Sequence, residues 1–270
     1  MGRDLGQHRW ATRGRLSLAV FLSCGLAFAA GAADAVETIV VVRAIAKDAM
    51  FIGTSMGGAE VVIREADSGR ILAHGVTAGG TGDRRAIMED PQRRGTPLAD
   101  ARTAKFEGRL DLTEPVLATV EVSAPVGHPQ SVVRASTQIW LLPGKSIQGD
   151  GVVIEIPGFS VGLLAPQPAS HVALSGGNAT VPITANVMMM CGCPVTSGGL
   201  WNADRYEVSV LVKRNGVQVG TLPLSFAGRA SAFSGLLEVT EPGAYELQVY
   251  AYDPETGNTG VDKTMFRVGE

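Results

Sequence analysis

Sulfur is scarce in this chain and sits mostly in one place. Of 270 residues, three are cysteine, eight methionine and four histidine. No Cys-x-x-Cys stands at a helix start, which excludes the usual thiol-disulfide oxidoreductase site. No Ser, His and Asp set lies in a nucleophile context, so a hydrolase is not indicated and the chain reads as a non-enzyme. Lys and Arg number 23 against 26 Asp and Glu, a formal net charge of -3, so no basic field invites nucleic acid or an anionic membrane. No helical stripe of useful length runs anywhere, which argues against an α fold.

What is present is glycine, with 34 residues, and proline, with 14, among many Val, Thr and Ile. Such a composition predicts an all-β chain rich in turns. Arg3, Arg9, Arg13 and Arg15 precede an apolar run from Leu16 to Ala30, and Ala33-Asp34-Ala35 offers small residues for cleavage. Residues 1–35 are therefore expected to be a signal peptide removed before Val36, leaving the protein in the periplasm or secreted. The apolar run is shorter than the ~20 residues that span a bilayer, so no transmembrane segment is expected in the mature chain. Cys24 follows Phe21-Leu22-Ser23, which fits a lipidation motif poorly, and Arg13-Gly14-Arg15 is not a twin-arginine pair.

Period-2 runs fill the remainder and predict two tandem β-sandwiches, residues 36–165 and 166–270, with Pro-rich 165–171 as linker. Residues 84–104 are charged, proline-containing and aperiodic, which predicts a long surface insertion. The stretch "GAEVVIREADSGRILAHGVTAGGTGD" resembles the transthyretin-like and carboxypeptidase regulatory-like β-sandwiches: a strand, a Ser-Gly turn, a strand and a Gly-rich turn. In the second half, "YEVSVLVKRNGVQVGTLPLSF" predicts a hairpin turning at Asn215-Gly216. The closing "EPGAYELQVYAYDPETGNTGVDKTMFRV" resembles the last two strands of bacterial immunoglobulin-like domains. Tyr245 there stands where a tyrosine corner returns its hydroxyl to backbone, with Leu247, Val249 and Ala251 on the same, inward face. These resemblances imply adhesion, spacer or scaffold modules and no ligand in particular.

The sulfur lies in "NVMMMCGCPV", Asn186 to Val195. On an extended strand Met189, Cys191 and Cys193 share one face with Ile183 and Val187, whereas Met188 and Met190 share the other with Thr184 and Asn186. The second face carries polar neighbours, so Met188 and Met190 are expected to be exposed. Thiolate and thioether ligands suit Cu(I), and Cys-x-Cys places two sulfurs on one side of the chain. Cys191 and Cys193, with Met188, Met189 or Met190, are thus candidate copper ligands, and His171 would join them if the linker folds over. The protein would then bind copper for, or deliver it to, an exported metalloenzyme.

Two other fates of the segment stay open. The cysteines could form a short-range disulfide, which becomes a metal site when reduced, or the sulfurs could be adaptable core filler. A disulfide would leave a non-catalytic interaction protein that docks on an envelope or secreted partner. His74 and His128 read as surface residues. "DPETGN", 253–258, has too few oxygen ligands for a calcium loop and predicts a turn, and "GGTGD", 79–83, precedes no helix that would make a phosphate cradle.

Overall fold

The computed structural model describes residues 34–270, so all but Asp34 and Ala35 of the expected signal peptide, Cys24 included, lie outside the described residues. Seven strands come first: β1 (Val36–Ala46), β2 (Glu60–Glu65), β3 (Ile71–Val76), β4 (Phe106–Leu112), β5 (Val116–Ala124), β6 (Val133–Leu141) and β7 (Ile147–Ile156). They form a three-stranded sheet, β4-β1-β7, and a four-stranded sheet, β3-β2-β5-β6. Nine follow: β8 (Phe159–Ala165), β9 (His171–Ala173), β10 (Ala179–Met189), β11 (Glu207–Arg214), β12 (Val217–Pro223), β13 (Ser225–Phe226), β14 (Ala232–Val239), β15 (Gly243–Tyr252) and β16 (Thr259–Gly269). These make a second sheet pair, β13-β14-β10-β8 and β12-β11-β15-β16-β9. The chain is all-β, built as sandwiches.

Alternation decides which face each strand buries. On β15 Tyr245, Leu247, Val249 and Ala251 are buried while Tyr252 is exposed and Glu246, Gln248 and Tyr250 are half-buried. Each fully buried aliphatic side chain contributes ~1.5–3 kcal/mol relative to exposure, so slipping this strand by one residue would forfeit several such terms at once. Asn215 (φ 49°) and Gly216 (φ 83°) both take left-handed backbone and turn β11 into β12. Tyr245 Oη donates to the Glu241 carbonyl at 2.9 Å, which is the tyrosine-corner contact.

Two expectations need correction. β8, expected in the first sandwich, pairs antiparallel with β10 and belongs to the second; the crossing between sheet pairs falls between Ile156 and Phe159. The reason is that Phe159 and Val161 present a buried face that the β10 register, Met189 to Phe159 and Val187 to Val161, completes. The segment 84–104 is not wholly irregular, because Asp83 accepts from the Arg85 and Ala86 amides and starts a short helix, Arg84–Met88.

That segment is pinned at its end. Arg43 on β1 is buried and donates Nη1 to the Thr103 and Ala104 carbonyls and Nη2 to the Gly149 carbonyl. Burial pulls its pKa down, and nearby Asp150 and Asp100 push it back up. Asp150 in turn accepts from the Leu98 and Ala99 amides. Between the helix and this anchor, Pro91 to Pro97 are exposed.

Asp34 to Glu270 form one compact unit with a continuous apolar core. Among the described residues no helix is long and apolar enough to cross a membrane. The Pro-rich segment is not a free linker: Ala169 N donates to the Met265 carbonyl and Arg267 N to that of Ser170. Limited proteinase K digestion should therefore nick within 91–97 first and leave the two pieces associated, since β1 pairs with both β4 and β7 across the cut. Initial cleavage within 165–171 would contradict this.

Candidate functional site

β10 carries the sulfur segment to the boundary between the two sheet pairs. Val181, Ile183, Ala185, Val187 and Met189 are buried along one face, and Met188 is half-buried on the other. The alternation then stops. Gly192 N donates to the Met189 carbonyl at 2.8 Å and Met189 N to the Cys193 carbonyl at 3.2 Å, closing a tight turn with Gly192 at φ 79°. Cys191 and Cys193 are joined within it as a disulfide, with Cα atoms 5.3 Å apart.

This turn overturns the expected exposure of Met190, which is 1% exposed. Period-2 reasoning holds only while the backbone stays extended, and the strand ends at Met189. Beyond that point Met190 swings beneath Gly158, its Cε 3.2 Å from where a Cβ on that glycine would stand. It also lines an open crevice of about 260 Å³ with Phe159, Thr259, Gly260 and the 130–133 segment.

The residue that sequence reasoning missed is Met56. It closes a 3-10 turn, Thr54–Met56, in the first sandwich, and its Sδ lies 2.6 Å from the position a Cβ on Gly192 would occupy. Any larger residue at 192 would have to displace the thioether and also hold a left-handed backbone. Gly127 N donates to the Met56 carbonyl at 2.8 Å and fixes the turn. No periodic pattern surrounds Met56, so nothing in the sequence marked it.

Two further devices hold the sulfur turn in place. Ser231, at φ 63°, donates its amide to the Val195 carbonyl, its Oγ accepts from the Val195 amide, and its carbonyl accepts from Val187 N. Trp201, which ends the Gly-rich loop, is buried and donates Nε1 to the Asp48 carbonyl of the first sandwich at 2.9 Å.

A polar collar flanks the sulfur. Lys47 Nζ donates to the Thr256 carbonyl at 2.6 Å, Asn258 Nδ2 to the Lys47 carbonyl at 3.1 Å, and Gly158 N to Asn258 Oδ1 at 2.8 Å. The 253–258 segment is thus a turn, as expected, that also docks onto the 46–50 loop. Asp253 is buried and spends its carboxylate inside that turn, on Glu255 N and Thr256 Oγ1. Arg205 pairs with Glu255. Burial and the neighbouring Asp253 raise the Asp48 pKa, partly offset by Arg205. Burial, then Asp253 and Asp48, push the Tyr206 phenol up to about 12, and its ring meets Phe159 edge-on at 5.0 Å.

The other expected ligand, His171, is not brought to the sulfur. It pairs with Arg267, eight residues along β16 from Thr259, which neighbours Met190 across Gly158. At ~3.3 Å per residue that is about 26 Å. Among the described residues no three His, Cys, Asp or Glu side chains gather to hold an ion.

The fold and site together define a two-sandwich β protein with a buried sulfur cluster at the junction. No family model matches the chain, and no curated protein matches it in sequence. Among solved structures, an engineered protein is similar over 45% of this chain and 22% of its own, with 20% identity and a TM-score of 0.31.

The raised Asp48 pKa has a sign that can be tested. A carboxyl whose pKa is higher folded than unfolded favours folding when protonated, so its contribution is lost as pH rises from the ordinary Asp value, ~3.9, through the folded one. Asp48→Asn should raise the melting temperature at pH 7, with the gain vanishing near pH 3.5. Asn also suits the left-handed backbone at this position, φ 56°. A lowered melting temperature at pH 7 would contradict the assignment.

Proposed function

We propose that this is a non-catalytic exported interaction protein, in which two β-sandwiches are held as one body to present surfaces to an envelope or secreted partner. One observation carries the reading: the Cys191–Cys193 disulfide is buried in a turn pressed against Met56 of the other sandwich. Sulfurs used in this way serve as packing and as a covalent brace on a tight turn. A disulfide also accords with the leader, because thiols in an exported protein meet an oxidising compartment.

A second reading is soft-metal binding: a periplasmic protein that holds or delivers Cu(I), with an exported metalloenzyme as its client. It is favoured by the Met56 sulfur packed against Gly192 between Cys191 and Cys193, and by the crevice that reaches Met190. Copper would be held by the cysteines only in their reduced state.

The two readings separate on the native thiol state. Cells are fractionated, the exported protein is denatured with an alkylating agent and no reductant, and its mass and N-terminus are determined. The structural reading expects periplasmic or secreted protein starting at or near Val36, with both cysteines unmodified until reductant is added. Two alkylated cysteines in freshly exported protein, or full-length protein confined to the cytosol, would contradict it.

A further inference from the structure

The sequence places candidate copper ligands at 188–193 and at His171, but the packing around the turn suggests a different ligand set. Met189 is fully buried within β10, paired with Phe159, and its side chain belongs to the sandwich core. Met190 lines the crevice. Met56 is the methionine whose sulfur stands directly over the residue between the two cysteines. Gly192 leaves that approach open, since a side chain there would occupy the space the thioether fills.

We propose that, on reduction, Cys191, Cys193 and Met56 form a three-sulfur Cu(I) site that joins the two sandwiches, with Met190 at its port. The proposal rests on the soft-metal reading of this cluster. The chemistry balances in two steps. A dithiol reductant gives two electrons and two protons to the Cys191–Cys193 disulfide and becomes a disulfide itself. Cu(I) then displaces both thiol protons and bonds to the two thiolates and the Met56 thioether. Two thiolates and one thioether make the soft, low-coordinate set that Cu(I) prefers over harder divalent ions.

Three features support the arrangement. Cys193, 7% exposed, is less enclosed than Cys191, 1% exposed, which makes it the nearer of the two to solvent. The crevice of about 260 Å³ ends on Met190, a thioether that can pass a soft ion inward. Ser231 and Trp201 hold the chain on the far side of the turn, so opening the disulfide does not release the segment. The site would be closed to metal while oxidised and open when reduced, which makes copper occupancy follow the thiol state.

The test is competition titration of the purified protein with Cu(I), before and after dithiol treatment. Reduced protein should bind about one Cu(I) per chain, and oxidised protein no tighter than Cys191→Ser/Cys193→Ser. Losing a ligand should cost at least what losing an outer-shell partner costs, so Met56→Leu should weaken binding by about 10–100-fold. Met189→Leu and His171→Ala should leave it unchanged. Should Met56→Leu not fold, the triple variant Met188→Leu, Met189→Leu and Met190→Leu, labelled with selenomethionine, decides. Its copper X-ray absorption spectrum should still contain a Cu–Se shell. If reduced wild type binds no tighter than the double serine variant, the copper reading itself fails. If wild type binds but Met56→Leu binds equally, or the Cu–Se shell is absent, copper binding stands and the inter-sandwich site is wrong.

Discussion

A glycine at position 192 lets the turn that ends β10 lie against the thioether of Met56, one of the close approaches by which the two sheet pairs are packed together. A Cβ there would stand 2.6 Å from Met56 Sδ on a backbone already at φ 79°. Either the thioether or the turn would have to move. The contact closes an apolar core that runs without interruption from β1 to β16. Met56 and Cys191 are 3% and 1% exposed where the turn meets the other half. With fully burying one such side chain contributing ~1.5–3 kcal/mol, this seam outweighs any single polar contact across the junction, which nets about 1 kcal/mol.

The polar groups around the seam set orientation more than strength. Trp201, Lys47 and Asn258 each send one directed hydrogen bond across it, to backbone carbonyls at defined positions. Gly158, at the crossing itself, is held by the Asn258 side chain. Against these stands one unfavourable term. The exposed Asp48 lies near the like charge of buried Asp253, and Arg205, itself paired with Glu255, offsets only part of the cost.

Much of the fold was legible because it rests on local rules. The inward face of β15, the Asn215-Gly216 turn and the Tyr245 corner follow from period-2 spacing and turn chemistry. The misplacements share a cause. β8 precedes the Pro-rich segment and so falls in the first sandwich by sequence order, whereas its partner β10 selects it through pairing that no local pattern encodes. Met190 was assigned by alternation one residue past the point where the strand turns. Met56 sits in a turn of the other sandwich, more than 130 residues before Gly192, and only the packed structure brings the two together. In the candidate site, residues adjacent in sequence were readable and the partner across the junction was not.

Packed as one compact unit, the two sandwiches should unfold as a single cooperative body through this seam. Scanning calorimetry of oxidised protein tests it most directly. The account predicts one transition whose calorimetric and van't Hoff enthalpies agree, a ratio of about 1. Two separable transitions, or a ratio near 2 in a single broad peak, would mean that the halves unfold independently and that the sulfur seam does not bind them into one body.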